Sequence, residues 1–399
     1  MSELTFDLPQ LQTKDDASTV STKIHSPGRV DDIWYRVSSG RVAHGVEAIA
    51  AACLVPAMKM GLPLRTPHPV SSRFLAGLQK IQTVLHGWYP VLKPVPLAMS
   101  VLPDTTAGNE GRGAASFFSA GVDACYTFLS HQTELTACVL IHGFDYQHDA
   151  TESRQAVSTM AQNAMKKLGK PLIEVDTNIR NFGDRYVDWG YEYHGSVLAS
   201  VALLLSPQVH TVYIPSSYTL DTLFPWGSHP ETDPLWSSEA VRIVHDGFDT
   251  NRCQKTIRIS QSDVLLGILR VCWSDFHKTG HAYNCGKCEK CTRTMLDLRI
   301  AGALDRCTTF RNQLKLSKLA RIDVRHEKVR HFYQASYEEA QKHNVDPQLM
   351  KSLEECLSNK HHTGFNGMMS RLRKRLRQDL IRPCMRPFEK AVQRISGRK

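Results

Sequence analysis

The chain has 399 residues, of which 42% are hydrophobic and 22% charged, a balance typical of globular proteins and a length sufficient for two domains. Residues 1–20 lack the basic start and apolar run of a secretory signal, and the longest apolar run, 197–205, is too short to span a bilayer. We therefore expect a cytoplasmic protein without a membrane span. The chain has 11 cysteines, an odd number, and only one tight cluster occurs among them, which argues against a disulfide framework.

The N-terminal part of the chain alternates between strand and helix patterns without a chemical motif. We expect a flexible start over 1–29 and an N-terminal α+β extension over 1–108, which ends in the Gly- and Thr-rich loop 104–113. Within it the pattern predicts strands at 32–37 and 94–99, and helices at 46–60, interrupted by Pro56, and at 71–88.

From residue 113 strand patterns alternate with helical ones, which predicts a doubly wound parallel sheet in an α/β domain over 109–307. Ligands of such sheets bind beyond the carboxyl ends of the strands. The predicted strands are 114–118, 137–142, 171–176 and 210–215, and the predicted helices start at 122, 151 and 194.

One strand-to-helix turn in this domain is built from small residues. An apolar run over 114–118 leads into Ser119, Ala120 and Gly121, and helical spacing begins at Val122. The arrangement brings backbone N–H groups and the positive end of a helix dipole to one point, which suits a phosphate. Ala120 fits if its φ stays negative. Asp123, in the first helical turn, can orient the loop or bind a metal ion.

Other candidates lie along the same rim. Asp145 and Asp176 follow strands and can hold Mg²⁺ or a ribose, or serve as turn or cap residues. The segment 220–249 lacks clean periodicity and is expected to be a functional loop. Its His229 and His245 are candidates for substrate binding or proton transfer, or are hydrogen-bonded surface residues.

A cysteine motif closes the α/β domain, in a lobe over 272–291. The CxxCxxC spacing, with one cysteine upstream, predicts a structural zinc site, and an iron–sulfur centre is the competing interpretation. Cys253 and Cys307 are alternative fourth ligands. The expected ligands are Cys272, Cys285, Cys288 and Cys291.

The C-terminal region 308–399 is expected to be a helical, basic tail. Residues 371–399 hold 11 Lys and Arg against 2 Asp and Glu, so nearly all of the net charge of +10 belongs to them. Leu372, Leu376 and Leu380 share one face of a basic helix. Such a helix docks by its leucines, or it contacts nucleic-acid phosphates, an anionic membrane surface or an acidic partner protein.

The loop Ser119–Asp123 resembles the S-G-G-x-D-S motif of the PP-loop ATP pyrophosphatase superfamily, with Ala120 in place of the first Gly and Ala124 in place of the final Ser. Together with the cysteine motif, it makes residues 113–304 similar to the QueC family of cyano-deazaguanine synthases. The family's strand-end FDYGQ is present only as Phe-Asp-Tyr-Gln over 144–147, without its glycine.

The resemblance implies an ATP-dependent ligase with Ser119 and Asp123 as catalytic residues. ATP with Mg²⁺ would bind at Ser119–Asp123, where an acceptor carboxylate or amide oxygen becomes an adenylate, pyrophosphate leaves, and ammonia or another nucleophile displaces AMP. Cations such as Arg180, Arg185 or Lys255 would stabilise the charge, and zinc would be structural. The expected partners are a small-molecule, peptide or protein acceptor and, in a homodimer, a second copy of the chain. The alternatives are a tRNA-thiolating enzyme with an iron–sulfur cluster, and a non-catalytic nucleotide-binding protein that lacks the hydroxyl absent at Ala124.

Overall fold

The computed structural model describes residues 3–103, 111–144, 151–272, 284–310 and 312–358. The chain divides into two compact units, Met1–Asn312 and Gln313–Lys399. The first unit contains the sheet and the candidate site. The second is helical.

Among the described residues, the first unit is built on one sheet of nine strands. Their bounds are β1 Thr5–Phe6, β2 Gln10–Lys14, β3 Ala17–Ser26, β4 Arg29–Val37, β7 Gly113–Phe117, β8 Leu135–His142, β9 Leu172–Thr177, β10 Val209–Pro215 and β11 Arg242–Asp246, and the short strands β5 Leu64–Arg65 and β6 Leu97–Ala98 pair separately. The order is β1-β3-β4-β9-β8-β7-β10-β11, with β2 on β3. The five strands from β9 to β11 are parallel, and the N-terminal strands are antiparallel.

The connections place a ligand crevice beside β7. The chain runs from β7 to β8 and β9 on one side, and β10 and β11 lie on the other. The carboxyl ends of β7 and β10 therefore diverge at a switch point, where open α/β sheets bind ligands. The α/β class and the mostly parallel sheet predicted from the sequence are confirmed.

Helices cover both faces of this sheet. They are α1 Val46–Met60, α2 Ser72–Trp88, α3 Val122–Ser130, α4 Thr151–Lys167, α5 Ile179–Gly183, a π-helix Trp189–Tyr193, α6 His194–Leu204, α7 Arg252–Ile259, α8 Asp263–Leu266 and α9 Glu289–Ile300. Val139 of β8 packs into the large core with α1 and α6, whereas Leu140 packs on Val157 and Ala161 of α4. Burial on both faces explains why the central strands read as continuous apolar runs.

The prediction of a flexible start was wrong. β3 and β4 form a hairpin, and β4 pairs with β9 through Tyr35 and Thr177. Val20, Ile24, Ile33 and Tyr35 are almost fully buried. Their period-2 spacing is that of strands, but Ser, Thr and Asp between them make the segment read as polar. The N-terminal extension is therefore continuous with the α/β sheet, within a unit that extends to Asn312.

The prediction of a loop throughout 220–249 was also wrong. This segment contains β11, which pairs in parallel with β10, and two short 3₁₀ helices at Leu220–Thr222 and Asp233–Trp236. The strand has five residues, too few to give a clear alternation beside the Trp- and Pro-rich stretch before it.

The C-terminal unit contains α10 Leu316–Leu319, α11 Glu327–Lys342 and α12 Pro347–Leu357. Asp346 caps α12 by accepting the N–H of Leu349 at 2.9 Å, and Leu349 and Leu353 are buried. The basic run that starts at residue 371 lies outside the described residues. Among the helices of the described chain, none is long and apolar enough to cross a membrane.

Candidate functional site

The turn between β7 and α3 is the strand–turn–helix expected from the sequence. Gly121, the N-cap of α3, has extended dihedrals and offers no side chain to cap the helix, so first-turn N–H groups can receive a ligand. A Cβ on Gly121 would lie 3.2 Å from Ser119 Oγ, so a larger residue here would require the Ser119 side chain to shift.

The condition under which Ala120 would fit the turn, a negative φ, is not met. Its φ is +59°, in the left-handed region that disfavours residues with a Cβ. The carbonyl of Ala120 accepts the N–H of Arg270 at 2.8 Å, which ties the turn to the segment leading to Cys272. The loop is thus held in a strained conformation by a neighbouring part of the chain.

Asp123 is enclosed by donors. Its Oδ2 lies 2.6 Å from Arg252 Nη1 and accepts from Ser217 Oγ at 3.1 Å, and its Oδ1 lies 3.4 Å from Lys255 Nζ. Burial would raise the pKa of Asp123, but the charges of Arg252 and Lys255 lower it overall. The carboxylate is therefore ionised and holds two cations at the helix N-terminus.

Further cations crowd the same place. Burial, and then the charges of Arg252 and Arg293, lower the pKa of Lys290 to about 8. Burial also lowers the pKa of Lys255. The charge of Asp123 raises this pKa, but the charge of Arg252 lowers it and so partly offsets the effect of Asp123. Like charges brought this close repel one another, and a bound anion would remove that cost. The electrostatics of the site therefore favour an anionic ligand.

Asp123, Arg252 and Lys290 line one end of a cavity of about 420 Å³. Ser119, Gly121 and Asp123 line this end together with Arg252 and Lys290. The rest of the lining is mostly apolar and aromatic, with Phe117, Phe118, Val139, Leu140, Ile141, Phe144, Val157, Trp189, His194, Leu198 and Trp226 among its members. The volume lies in the range of small-molecule and cofactor sites.

A π-helix and a glycine turn make the aromatic wall. The N–H of Gly227 donates to the carbonyl of Gly190 at 3.0 Å, and a Cβ on Gly190 would lie 2.8 Å from the Trp226 ring. Trp189 packs edge-on to Phe144 at 4.9 Å between ring centroids. Short π-helices recur at functional sites because they re-aim side chains. The only sequence signal for this wall is the density of Trp and Tyr near 189 and 226.

The three cations expected near the phosphates have different roles. Lys255 contacts Asp123, as described above. Arg180 lies 4.3 Å over the Trp189 ring and 2.7 Å from Asp184, at the aromatic side. Arg185 Nη1 lies 2.6 Å from Asp31 Oδ1, and the described cavity lining does not include it. Arg252, Lys290 and Ser217 line the cavity near Asp123, and no sequence pattern singled out Arg252 or Lys290.

The acidic candidates are not brought to the loop. Asp176 pairs with Arg154 at 3.0 Å and does not belong to the described cavity lining. An arginine therefore already holds the carboxylate expected to bind Mg²⁺ or a ribose. Asp145 lies outside the described residues.

The two histidines of the segment 220–249 lie behind the cavity. His245 Nδ1 is 2.7 Å from Asp233 Oδ2 in a fully buried pair, and the His229 ring packs edge-on to Trp88 at 4.7 Å. Ser228, which lines the cavity, donates to the same Asp233 oxygen at 2.6 Å. Neither histidine is among the described lining residues, whereas His194 is.

The four predicted cysteines come together. The Sγ atoms of Cys272, Cys285, Cys288 and Cys291 all lie within 4.8 Å of one another. The separations of 4.0 Å (Cys272–Cys288) and 3.7 Å (Cys285–Cys291) are close to the edge of about 3.8 Å that a tetrahedron with metal–sulfur bonds near 2.3 Å would have. Such a group can bind one metal ion. Within the described chain Cys253 and Cys307 are not part of it, and Cys307 instead donates to the Leu266 carbonyl at 3.2 Å.

Backbone N–H groups favour the thiolate state of Cys285 and Cys288. Gly286, at φ +62°, makes the turn in which Cys285 Sγ accepts the N–H groups of Lys287 and Cys288 at 3.4 and 3.3 Å. The Cys291 thiol and its N–H, with other thiols nearby, lower the pKa of Cys288 to about 5. Thiolates are the form that metals bind.

The cysteine group adjoins the cavity. Cys272 is a member of the cysteine group and also lines the cavity. Lys290, another lining residue, lies between Cys288 and Cys291 in the chain. Asn284, almost fully buried, accepts the N–H groups of Val271 and Cys272 at 2.9 and 3.2 Å and so fixes the approach to the group. No sequence pattern singled out Asn284.

Comparison with models of protein families, with curated proteins and with solved structures found no match to this chain. The role of the site is therefore inferred from its own residues, contacts and charges.

Proposed function

We propose that this protein is an ATP-dependent ligase of the PP-loop class, similar to the QueC family. It adenylates a carboxylate or amide oxygen of an acceptor, releases pyrophosphate and forms a C–N bond when a nitrogen nucleophile displaces AMP. The observation that carries the proposal is the cluster of Arg252, Lys255 and Lys290 around Asp123 in the first turn of α3. Arg252 and Lys290 of this cluster line a cavity whose volume lies in the range of small-molecule and cofactor sites.

The cation end would receive the phosphates. First-turn N–H groups of α3 and the Ser119 hydroxyl can donate to phosphate oxygens. Arg252 Nε is buried without a hydrogen-bond partner among the residues that the structure describes, so it has a donor to spare. The same cations would stabilise the departing pyrophosphate, an electrostatic contribution made where the charge develops.

Asp123 has a positioning role in this scheme. Its oxygens are already taken by Arg252, Lys255 and Ser217, so Mg²⁺ would arrive with the ATP phosphates and keep part of its water shell. Ala124 stands at the position where the PP-loop motif has its second serine. Ser217 lines the same cavity as Ala124 and brings a hydroxyl to it. The loss of that serine therefore does not leave the site without a second hydroxyl.

The cysteine group would hold zinc in a structural role. Four thiolates complete a tetrahedral shell and leave no position for a substrate. A cluster of several iron and sulfide ions would hold its thiolates farther apart than a single ion does, so the observed separations favour the ligase over the iron–sulfur thiolating enzyme.

The test is product analysis with Mg²⁺-ATP and a panel of carboxylic acids plus ammonium chloride. We expect AMP and pyrophosphate, and an acid whose mass changes to that of its amide or nitrile. ADP and orthophosphate would contradict the PP-loop class. Tight ATP binding with no product from any acid would instead identify a non-catalytic nucleotide-binding protein.

Two arginines of α7 give a matched pair of variants. Arg252→Gln removes a buried charge-assisted donor, and we expect it to weaken ATP binding about 10- to 100-fold in calorimetry. Arg258, whose side chain donates to Gln261 in an exposed pair, is the control, and Arg258→Gln should bind ATP within about twofold of wild type. Equal affinities in the two variants would place the phosphates elsewhere.

A further inference from the structure

His194, the first residue of α6, is held rigidly against the cavity. Gly227 packs closely on the His194 ring, because a Cβ on Gly227 would lie 2.6 Å from His194 Nδ1. Gly195 is equally constrained, with a Cβ position 1.9 Å from the Gly227 carbonyl oxygen. The Trp226 ring packs edge-on to the imidazole at 5.4 Å. The ring therefore has a fixed orientation and contributes to the cavity lining.

The contacts of His194 also fix its tautomer. Nδ1 lies 3.2 Å from the Trp189 carbonyl oxygen, and a carbonyl can only accept, so in the neutral ring Nδ1 carries the hydrogen. Nε2 then has the lone pair. Burial lowers the pKa of His194, which keeps the imidazole neutral near pH 7.

The other charged or titratable groups of the described lining have different tasks. Asp123 is neutralised by Arg252 and Lys255, Arg270 and Lys290 are cationic side chains, and Cys272 belongs to the metal group. Of the charged or titratable groups in the described lining, only His194 lies on the aromatic wall. Behind it lies the Asp233–His245 pair, in which the Asp233 charge favours a protonated His194 and His245 opposes it.

We propose that His194 is the general base for the second half of the reaction, an inference that rests on the proposed function. As the nitrogen of ammonia or a primary amine forms its bond to the adenylated carbon, the C–O bond to AMP breaks and AMP leaves with that electron pair. The attacking nitrogen becomes cationic and gives one proton to Nε2 of His194. Asp233 stabilises the imidazolium, and the proton later passes to solvent.

The test separates the two half-reactions, with the acid that the panel identifies as the acceptor. His194→Asn keeps a donor near the position of Nδ1 and removes the basic nitrogen. We expect it to retain ATP–pyrophosphate exchange within about threefold of wild type and to lose ammonia-dependent AMP formation about 100-fold or more. Hydroxylamine, a more reactive nucleophile, should restore most of the turnover.

His86→Asn is the matched control, because His86 Nδ1 also lies near a backbone carbonyl, that of Leu92 at 2.9 Å, but outside the described cavity lining. It should leave both rates unchanged. Normal exchange and a normal ammonia rate in His194→Asn would overturn the role of His194 alone. Loss of exchange in a folded His194→Asn would assign the residue to adenylation and would also overturn it. No exchange in the wild-type protein would overturn the proposed function and this role with it.

Discussion

Ala120 and the Cβ it carries are the main source of local strain in the loop. Ala120 has a φ of +59°, in the left-handed region. For a residue with a Cβ this conformation costs about 1 kcal/mol of conformational free energy. Replacing an alanine in this region by glycine removes the penalty, at a smaller cost in the entropy of the unfolded chain.

Ala120→Gly should therefore stabilise the protein by roughly 0.5 kcal/mol, which reverses the usual effect of glycine. Urea unfolding of the wild type and the variant measures this difference. Ala124→Gly, within α3, is the control and should cost about 1 kcal/mol. A loss of stability in both variants would contradict the left-handed conformation at Ala120.

His131 provides a pH-dependent contribution to stability. Burial would lower its pKa, but hydrogen bonds to Asp246 and Glu134, at 2.8 and 2.6 Å, raise the pKa above 6.5. Since the folded pKa exceeds the unfolded one, the stabilisation is fully present below pH 6.5 and is lost as the pH rises through the folded pKa.

We expect His131→Gln to destabilise the protein more at pH 5.8 than at pH 9, as measured by urea unfolding at both values. In the Asp246→Asn background the difference between the two pH values should shrink, because the acceptor that favours the charged imidazole is gone. An equal loss at both pH values would mean that His131 acts through its packing on Tyr213 alone.

At the scale of elements, the cysteine group ties α9 to the chain segment before it. Cys288 is the N-cap of α9 and the N–H of Cys272 donates to Asn284, so a metal ion would join the start of α9 to the chain at Cys272. Structural zinc contributes directly to folding.

We therefore predict one zinc per chain by elemental analysis of protein purified with and without oxygen. Cys288→Ser should lose the zinc and lower the melting temperature. Cys307→Ser, at a buried cysteine outside the group, should retain the full zinc content. Iron with visible absorbance, or the absence of metal from the wild-type protein, would contradict the prediction of zinc.

Local spacing explains which elements and site residues could be predicted. The small-residue turn at Ser119–Asp123 and the CxxCxxC motif are contained in short windows, and the structure forms both. Arg252, Lys290 and Trp226 reach the cavity from α7, α9 and a loop. Their convergence depends on how distant segments cross the sheet rim, and no periodicity in one sequence encodes that.

At the scale of the whole molecule, the compact unit that ends at Asn312 holds every described residue of the cavity. The tail holds nearly all of the net charge but none of the described lining. We expect a chain ending at Asn366 to bind ATP with unchanged affinity in calorimetry. Loss of binding in a truncated protein that is folded by circular dichroism would show that the tail completes the site.

The pairing of β4 with β9 has a consequence for how the protein is made. Tyr35 pairs with Thr177, so after Tyr35 the ribosome must add 142 residues before Thr177 is present. At ~5–20 residues per second this takes roughly seven to thirty seconds. During that interval the nascent β3–β4 hairpin presents an open edge and an apolar face that the finished sheet buries. The protein is therefore most open to chaperone capture, and to pairing with a neighbouring nascent chain, before β9 emerges.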